Sequence, residues 1–309
     1  MAPRGLLTKQ SGPLPDHPRL TTNVTMRDVA FRSAALDRDM QYRVVLPATI
    51  VPGRKLPAVY LLHGGGADFH SWTNDSDVSR FAEKGLVLVM PEGNSSYYVN
   101  ASERPQGRFE DYIVNDLIAD AESKFPIAVD RDHRAVIGVS MGGFGAINLS
   151  LKHPDLFAFA GALSPAVDVP SRPFSIKRIG QWHEHSSIFG RWGSETRRTN
   201  DPYLEISSVD PMKIPYLYIS CGEQEGLLPA NRKLARLLGY HHFRFEFHAS
   251  PGGHNWNQWN SRLPGPISQL IGARTKLMPS SSRACVLAKF DRTLLHNKKA
   301  PSSRSGPQA

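Results

Sequence analysis

The chain has 309 residues, 40% hydrophobic and 21% charged, with a formal net charge of +9 and two cysteines. It is long enough to bury a sizeable core in one large domain. No apolar run approaches the ~18 residues that span a bilayer, and Cys221 and Cys285 stand in neither a disulfide framework nor a metal-ligand spacing. Nor does the charge read as a nucleic-acid surface. Residues 273–309 hold eight Lys or Arg against Asp291 alone, which leaves only +2 for residues 1–272.

Residues 1–20 are a proline-rich, irregular lead-in without the sustained apolar stretch of a secretory signal, so the default expectation is a cytoplasmic protein. Val24–Ser33 and Met40–Leu46 alternate as half-buried strands do, with a hairpin turn over Leu36–Asp39. Ala58–Leu62 is a continuous apolar run suited to a parallel strand buried on both faces, and it ends in His63-Gly64-Gly65-Gly66. Trp72 and the Asn74-Asp75-Ser76-Asp77 cluster lead into a short helix over Val78–Lys84, with Asp or Ser available as its cap. Leu86–Met90 is the next buried strand. The polar-aromatic loop Asn94–Gly107, carrying Tyr97 and Tyr98, follows at the carboxyl edge where open α/β sheets bind ligands.

Arg108–Phe125 is a helix, with Phe109, Ile113, Leu117 and Ala121 on one face. Arg134–Val139 is a β-branched strand and Gly143–His153 a helix; between them sits Gly138-Val139-Ser140-Met141-Gly142. A serine pinched between strand and helix, with glycine two residues to either side, is the nucleophile-elbow pattern. The turn lifts the hydroxyl clear of the sheet, and the amides that open the helix favour an anion formed at the serine. Phe157–Leu163 is a further strand. The alternation of strand and helix predicts an α/β fold with a mostly parallel central sheet and helices on both faces.

From Ser164 the periodicity lapses, and the Trp-, His-, Arg- and Pro-rich stretch at about 166–210 reads as a small cap insertion. His183 and His185 within it lack a third ligand at a usable spacing, so no metal site is expected. Regular structure resumes with a strand over Pro215–Ser220, a helix over Asn231–Leu238, a strand over Phe243–Phe247 and a helix over Trp256–Ile271. The folded domain is expected over 21–272, with 273–309 a basic, disordered tail.

Ser140, Glu225 and His254 each follow the end of a predicted strand, in the chain order of an α/β-hydrolase triad. In that scheme Ser140 attacks a carbonyl, His254 moves the proton and Glu225 orients the imidazole. Glu223 and Asp168 are the other carboxylates within reach of the acid's place in the order.

These pieces carry a resemblance. Leu61–Gly66, Arg108–Tyr112, Gly138–Gly143, Cys221-Gly222 with Glu225, and Pro251–Trp256 resemble, in order, the Putative esterase family of α/β hydrolases. That family includes esterase D, S-formylglutathione hydrolase, tributyrin-type and feruloyl esterases, and mycolyltransferases. Carried over by position, the resemblance implies Ser140, Glu225 and His254 as triad, and the amides of Gly65 and Met141 as oxyanion hole. Glu225 stands where many members carry Asp, and His63–Gly66 where true S-formylglutathione hydrolases carry a cysteine-bearing loop.

The expected activity is that of a serine carboxylesterase acting on small acyl esters, with no metal or organic cofactor and no nucleic-acid partner. Its rivals are S-formylglutathione-type thioester hydrolysis, acyl transfer and a catalytically silent binding module. Trp72, Tyr97, Trp182 and Trp256 are the aromatic candidates for the substrate pocket.

Overall fold

Eight strands form one sheet: β1 (Val24–Ser33), β2 (Arg38–Pro47), β3 (Ala58–Leu62), β4 (Val87–Pro91), β5 (Arg134–Val139), β6 (Phe159–Leu163), β7 (Tyr216–Gly222) and β8 (Phe245–Ser250). The computed structural model describes residues 16–104, 106–173, 176 and 179–267, all in the first of the chain's two units, Met1–Pro279 and Ser280–Ala309. The expected tail, most of the lead-in and the end of the last predicted helix lie outside those residues.

The spatial order is β1-β2-β4-β3-β5-β6-β7-β8. β1 and β2 form a hairpin that closes at Ser33 opposite Arg38, and β2 also runs antiparallel to β4. From β4 to β8 every pairing is parallel. Every residue of β3, β4, β5 and β6 is buried, which explains why these strands read as apolar runs; Arg134, which opens β5, is paired with Glu122. Side chains along each strand alternate between two core layers. Tyr60, Leu62 and Val136 join one layer; Val59, Leu61, Ala135, Ile137 and Val139 join the other.

Two short helices, α1 (Ser71–Asp75) and α2 (Ser79–Ala82), precede β4. Neither has a side-chain cap, so the expected Asp or Ser cap is absent: residue Val78 occupies the α2 cap position. The predicted helix 108–125 is continuous but not uniform. α3 (Phe109–Asp111) passes through a π-helical stretch (Tyr112–Leu117) into α4 (Ile118–Lys124). The wider turn keeps Tyr112, Ile113, Val114 and Leu117 all buried, a broader face than i, i+4 spacing alone provides.

Helix α5 (Met141–Lys152) starts directly after Ser140. Among the described residues between β6 and β7 the chain forms three helices, α6 (Ile179–Phe189), α7 (Glu195–Arg198) and α8 (Pro202–Glu205), in the stretch where the sequence periodicity lapses. The two short ones are capped by the side chains of Ser194 and Asp201. This segment buries Ile188 and Phe189 against Val99, Phe144, Ala166 and Val169, forming a third apolar cluster. α9 (Leu228–Tyr240) and α10 (Trp256–Arg262) lie on opposite layers, through Leu234 and Leu238 in one case and Trp259 in the other. Among the described residues no helix is long and apolar enough to cross a membrane.

Candidate active site

Ser140 occupies the turn between β5 and α5 with φ 54° and ψ −112°, a conformation L-residues rarely adopt and one that costs of order 1–3 kcal/mol. Packing holds it there. The Ser140 amide donates to the Leu163 carbonyl at 2.8 Å, and its own carbonyl accepts from Phe144 (3.0 Å) and Ala166 (3.2 Å). A Cβ on Gly138 would lie 2.8 Å from the Gly143 nitrogen and closer still to the Gly142 carbonyl. Only glycine permits the helix to start so near the strand.

His254, just before α10, places Nε2 2.8 Å from Ser140 Oγ and Nδ1 2.6 Å from Glu225 Oε2. A carboxylate can only accept, so Nδ1 carries the proton and Nε2 is left to accept from the serine hydroxyl. The Glu225 side chain is 1% exposed and that of His254 40%. Burial disfavours the Glu225 charge, but hydrogen bonds from His254, Ser164 and the Gly222 amide outweigh it and hold the carboxyl below its usual range. The carboxylate is therefore ionised at neutral pH. Of the competing acids, Glu223 is exposed and Asp168 is bonded to Arg172 at 2.6 Å.

The glycine loop after β3 sits beside the elbow, where a Cβ on Gly64 would lie 3.5 Å from that of Ser140. His63 anchors it from below. This fully buried imidazole accepts from the Gly93 amide at Nε2 (2.8 Å), so its Nδ1 proton goes to the Gly64 carbonyl (2.8 Å). The Tyr98 hydroxyl donates to the His63 carbonyl at 3.1 Å. Gly65 lies in the resulting turn, and Met141 is the first residue of α5, whose amide has no acceptor within the helix.

The aromatic candidates divide. Trp72 is fully buried in the core, edge-on to Trp256 at 5.2 Å, so its ring does not face an open pocket as expected. A tryptophan after a glycine loop serves either role, and this one lies in the buried layer that also holds Phe81 and Ala82 of α2. Trp256 is half-buried beside it. Tyr97 stands edge-on to Phe144, Phe189 and His185, and its hydroxyl lies 3.2 Å from His185 Nε2. Trp182 stacks on Trp192, which is 59% exposed, with the Arg197 guanidinium against both rings. A separate surface cavity of about 580 Å³, lined by Arg38, Asn94, Arg104 and Phe109 among others, contains none of the predicted site residues.

Sequence reasoning missed two side chains that touch this site. Ser164 donates to Glu225 Oε1 at 2.6 Å, and Trp259 donates from its indole nitrogen to Ser164 Oγ at 2.9 Å. Neither lies in a motif that marks it.

Among the described residues, one group has ligand atoms close enough together for a cation: Asp16, Asp28 and His70. The buried Arg43 guanidinium is already forked onto both carboxylates, at 2.8 Å to Asp16 and 2.7 Å to Asp28, and supplies the positive charge there. His183 is exposed and His185 faces Tyr97.

The family model described as "Putative esterase" matches residues 33–270. The chain belongs to this family. Membership in the esterase family supports a serine-type ester-hydrolase activity for the chain. Among curated relatives, the acetyl esterase of Caldicellulosiruptor saccharolyticus is 27% identical over 220 residues, covering 69% of this chain and 82% of that protein. Diacylglycerol acyltransferase/mycolyltransferase Ag85B of Mycobacterium avium is 28% identical over 255 residues, 71% of this chain and 76% of that protein. Among solved structures, fluorophosphonate-binding serine hydrolase F of Staphylococcus aureus superposes with a TM-score of 0.70 at 24% identity, covering 80% of this chain and 98% of the other. An S-formylglutathione hydrolase from Agrobacterium tumefaciens gives 0.72 at 17% identity, with 83% and 98% covered.

Proposed function

We propose that this member of the esterase family is a serine carboxylesterase that cleaves small acyl esters through an acyl-enzyme. The observation that carries the reading is the unbroken hydrogen-bond chain from Ser140 Oγ through His254 to Glu225, at 2.8 and 2.6 Å. Ser140 Oγ attacks the ester carbonyl while its proton passes to His254 Nε2. Charge developing on the carbonyl oxygen is met by the amides of Gly65 and Met141. As the tetrahedral adduct collapses, the alcohol leaves with the proton held by His254. Water then repeats the sequence on the acyl-enzyme and restores Ser140. Glu225, ionised and desolvated, keeps the imidazole in the reactive tautomer and stabilises it when charged.

Substrate size enters through the aromatic groups around the elbow. Tyr97 and Trp256 are the proposed pocket walls, with Trp182 on the cap. Acyl transfer to an alcohol or sugar is a second reading, favoured by the exposed Trp192 ring stacked on Trp182, a surface suited to an acceptor.

A panel of nitrophenyl esters from acetate to palmitate, with feruloyl, acetylated-sugar and S-formylglutathione substrates, tests the proposal. The highest kcat/KM is expected on short acyl esters. A folded protein that cleaves none of them and resists a fluorophosphonate probe would be a binding module instead.

A further inference from the structure

We propose that Trp259 and Ser164 are positioning residues that clamp the outer oxygen of Glu225, leaving Oε2 as the only face it presents to His254. The inference rests on Glu225 and His254 acting as proposed above.

An ionised carboxylate has two oxygens and about four acceptor directions. Oε2 of Glu225 takes the His254 Nδ1 proton at 2.6 Å. Oε1 is occupied twice, by the Gly222 amide at 2.8 Å and by the Ser164 hydroxyl at 2.6 Å. The amide is rigid, but a serine hydroxyl turns and has a single proton to give. Trp259 decides where that proton goes. Its indole N–H donates into Ser164 Oγ at 2.9 Å, filling an acceptor direction of the hydroxyl and aiming its proton at Glu225.

Ser164 cannot swing away. It is buried, it sits in the left-handed region at φ 49°, and its amide is bonded to the Ser220 carbonyl at 2.7 Å. The ring of Trp259 also stands edge-on to the His254 imidazole, with centroids 5.0 Å apart and planes at 89°. One side chain on α10 thus bears on both members of the proton-handling pair. A glutamate needs such a clamp more than an aspartate would, because it has one further rotatable bond to fix.

The clamp has an electrostatic consequence. Removing a donor from Oε1 leaves the buried carboxylate less well satisfied, and more so while His254 is neutral than once it is protonated. Protonation of the pair then becomes easier, and the acid limb of the pH–rate profile moves to higher pH. Among the described residues, the other titratable group acting on Glu225 is the Cys221 thiol at the end of β7, which burial and the carboxylate push up to about 12. It stays neutral over the working range. Arg232 on α9 acts on that thiol and keeps its charge throughout.

The test is kcat and KM for nitrophenyl acetate against pH, with melting curves, for Ser164→Ala, Trp259→Phe and the double variant. Each single change is expected to lower kcat roughly tenfold with KM unchanged, and to raise the acid limb by about one pH unit. Because the indole N–H acts through Ser164, the double variant should be no worse than Ser164→Ala. An unshifted limb, or losses that multiply in the double variant, would overturn the proposal. If Ser164→Ala does not fold, the limb position in Trp259→Phe decides alone. Fluorophosphonate labelling of Ser140 in the wild type separates this result from failure of the triad reading, in which the wild type itself does not label.

Discussion

A methyl group on Gly142 would lie 2.6 Å from the carbonyl oxygen of His63 and closer still to that of Leu62. The first turn of α5 is thus pressed onto the end of β3, backbone against backbone. Neither neighbour can yield as the tip of a flexible side chain would. Gly142→Ala should therefore destabilise the protein by about 1–3 kcal/mol or more, and displace Ser140 from its hydrogen-bonding distance to His254. Denaturant melts and kcat measured together check this; a variant of wild-type stability and rate would show that the elbow relaxes freely.

Ser140→Ala removes the oxygen proposed to attack the ester while leaving the backbone bonds of the turn in place. The variant should melt as the wild type does and lose on the order of 10⁶ in kcat. Intact-mass analysis after fluorophosphonate treatment should find the adduct on the wild type and none on the variant.

Glu225→Gln replaces the carboxylate that accepts from His254 Nδ1 with an amide that favours the wrong tautomer and cannot stabilise the imidazolium. A fall of roughly 10⁴ in kcat at neutral pH is expected, with Glu225→Asp retaining partial activity. Glu223→Gln and Asp168→Asn should stay within a few-fold of wild type. Should one of those collapse while Glu225→Gln survives, the acid is misassigned.

His185 bears on stability against pH. Burial lowers its pKa from 6.5 to about 4, with Arg172 and Arg197 adding to the effect. Because the folded state binds this proton less readily than the unfolded one, the stabilising contribution is complete above pH 6.5 and is lost as pH falls towards about 4. The melting temperature should drop across that window, and the drop should be shallower in His185→Gln. Equal slopes in the two proteins would mean that other groups carry the dependence.

How much of this was legible in the chain follows from the range of each interaction. Ala58–Leu62 and Arg134–Val139 are read to the residue because a strand buried on both faces must be apolar along its length, broken in β5 only at its first residue, where buried Arg134 is paired with Glu122. Ser140 is marked by its own neighbours, since the glycines it requires lie two residues away. The short helices α7 and α8 between β6 and β7 and the π-helical turn carry no comparable signal. The short helices α7 and α8 are held by tertiary packing and by local side-chain caps, and the π turn answers to burial of a broader face than helical spacing implies.

The amino-acid sequence by itself determined the strand and helix alternation, the strained serine and the order in which Ser140, Glu225 and His254 appear, because each is written in residues adjacent along the chain. Only the tertiary structure decided that Glu225 rather than Glu223 or Asp168 meets His254, that Trp72 belongs to the core, and that Ser164 and Trp259 stand behind the carboxylate. Ser164 and Trp259 are 95 residues apart, and what joins them is the parallel sheet. It gathers the carboxyl ends of β6, β7 and β8 at one edge, so that side chains with no local signal come within hydrogen-bond range of each other.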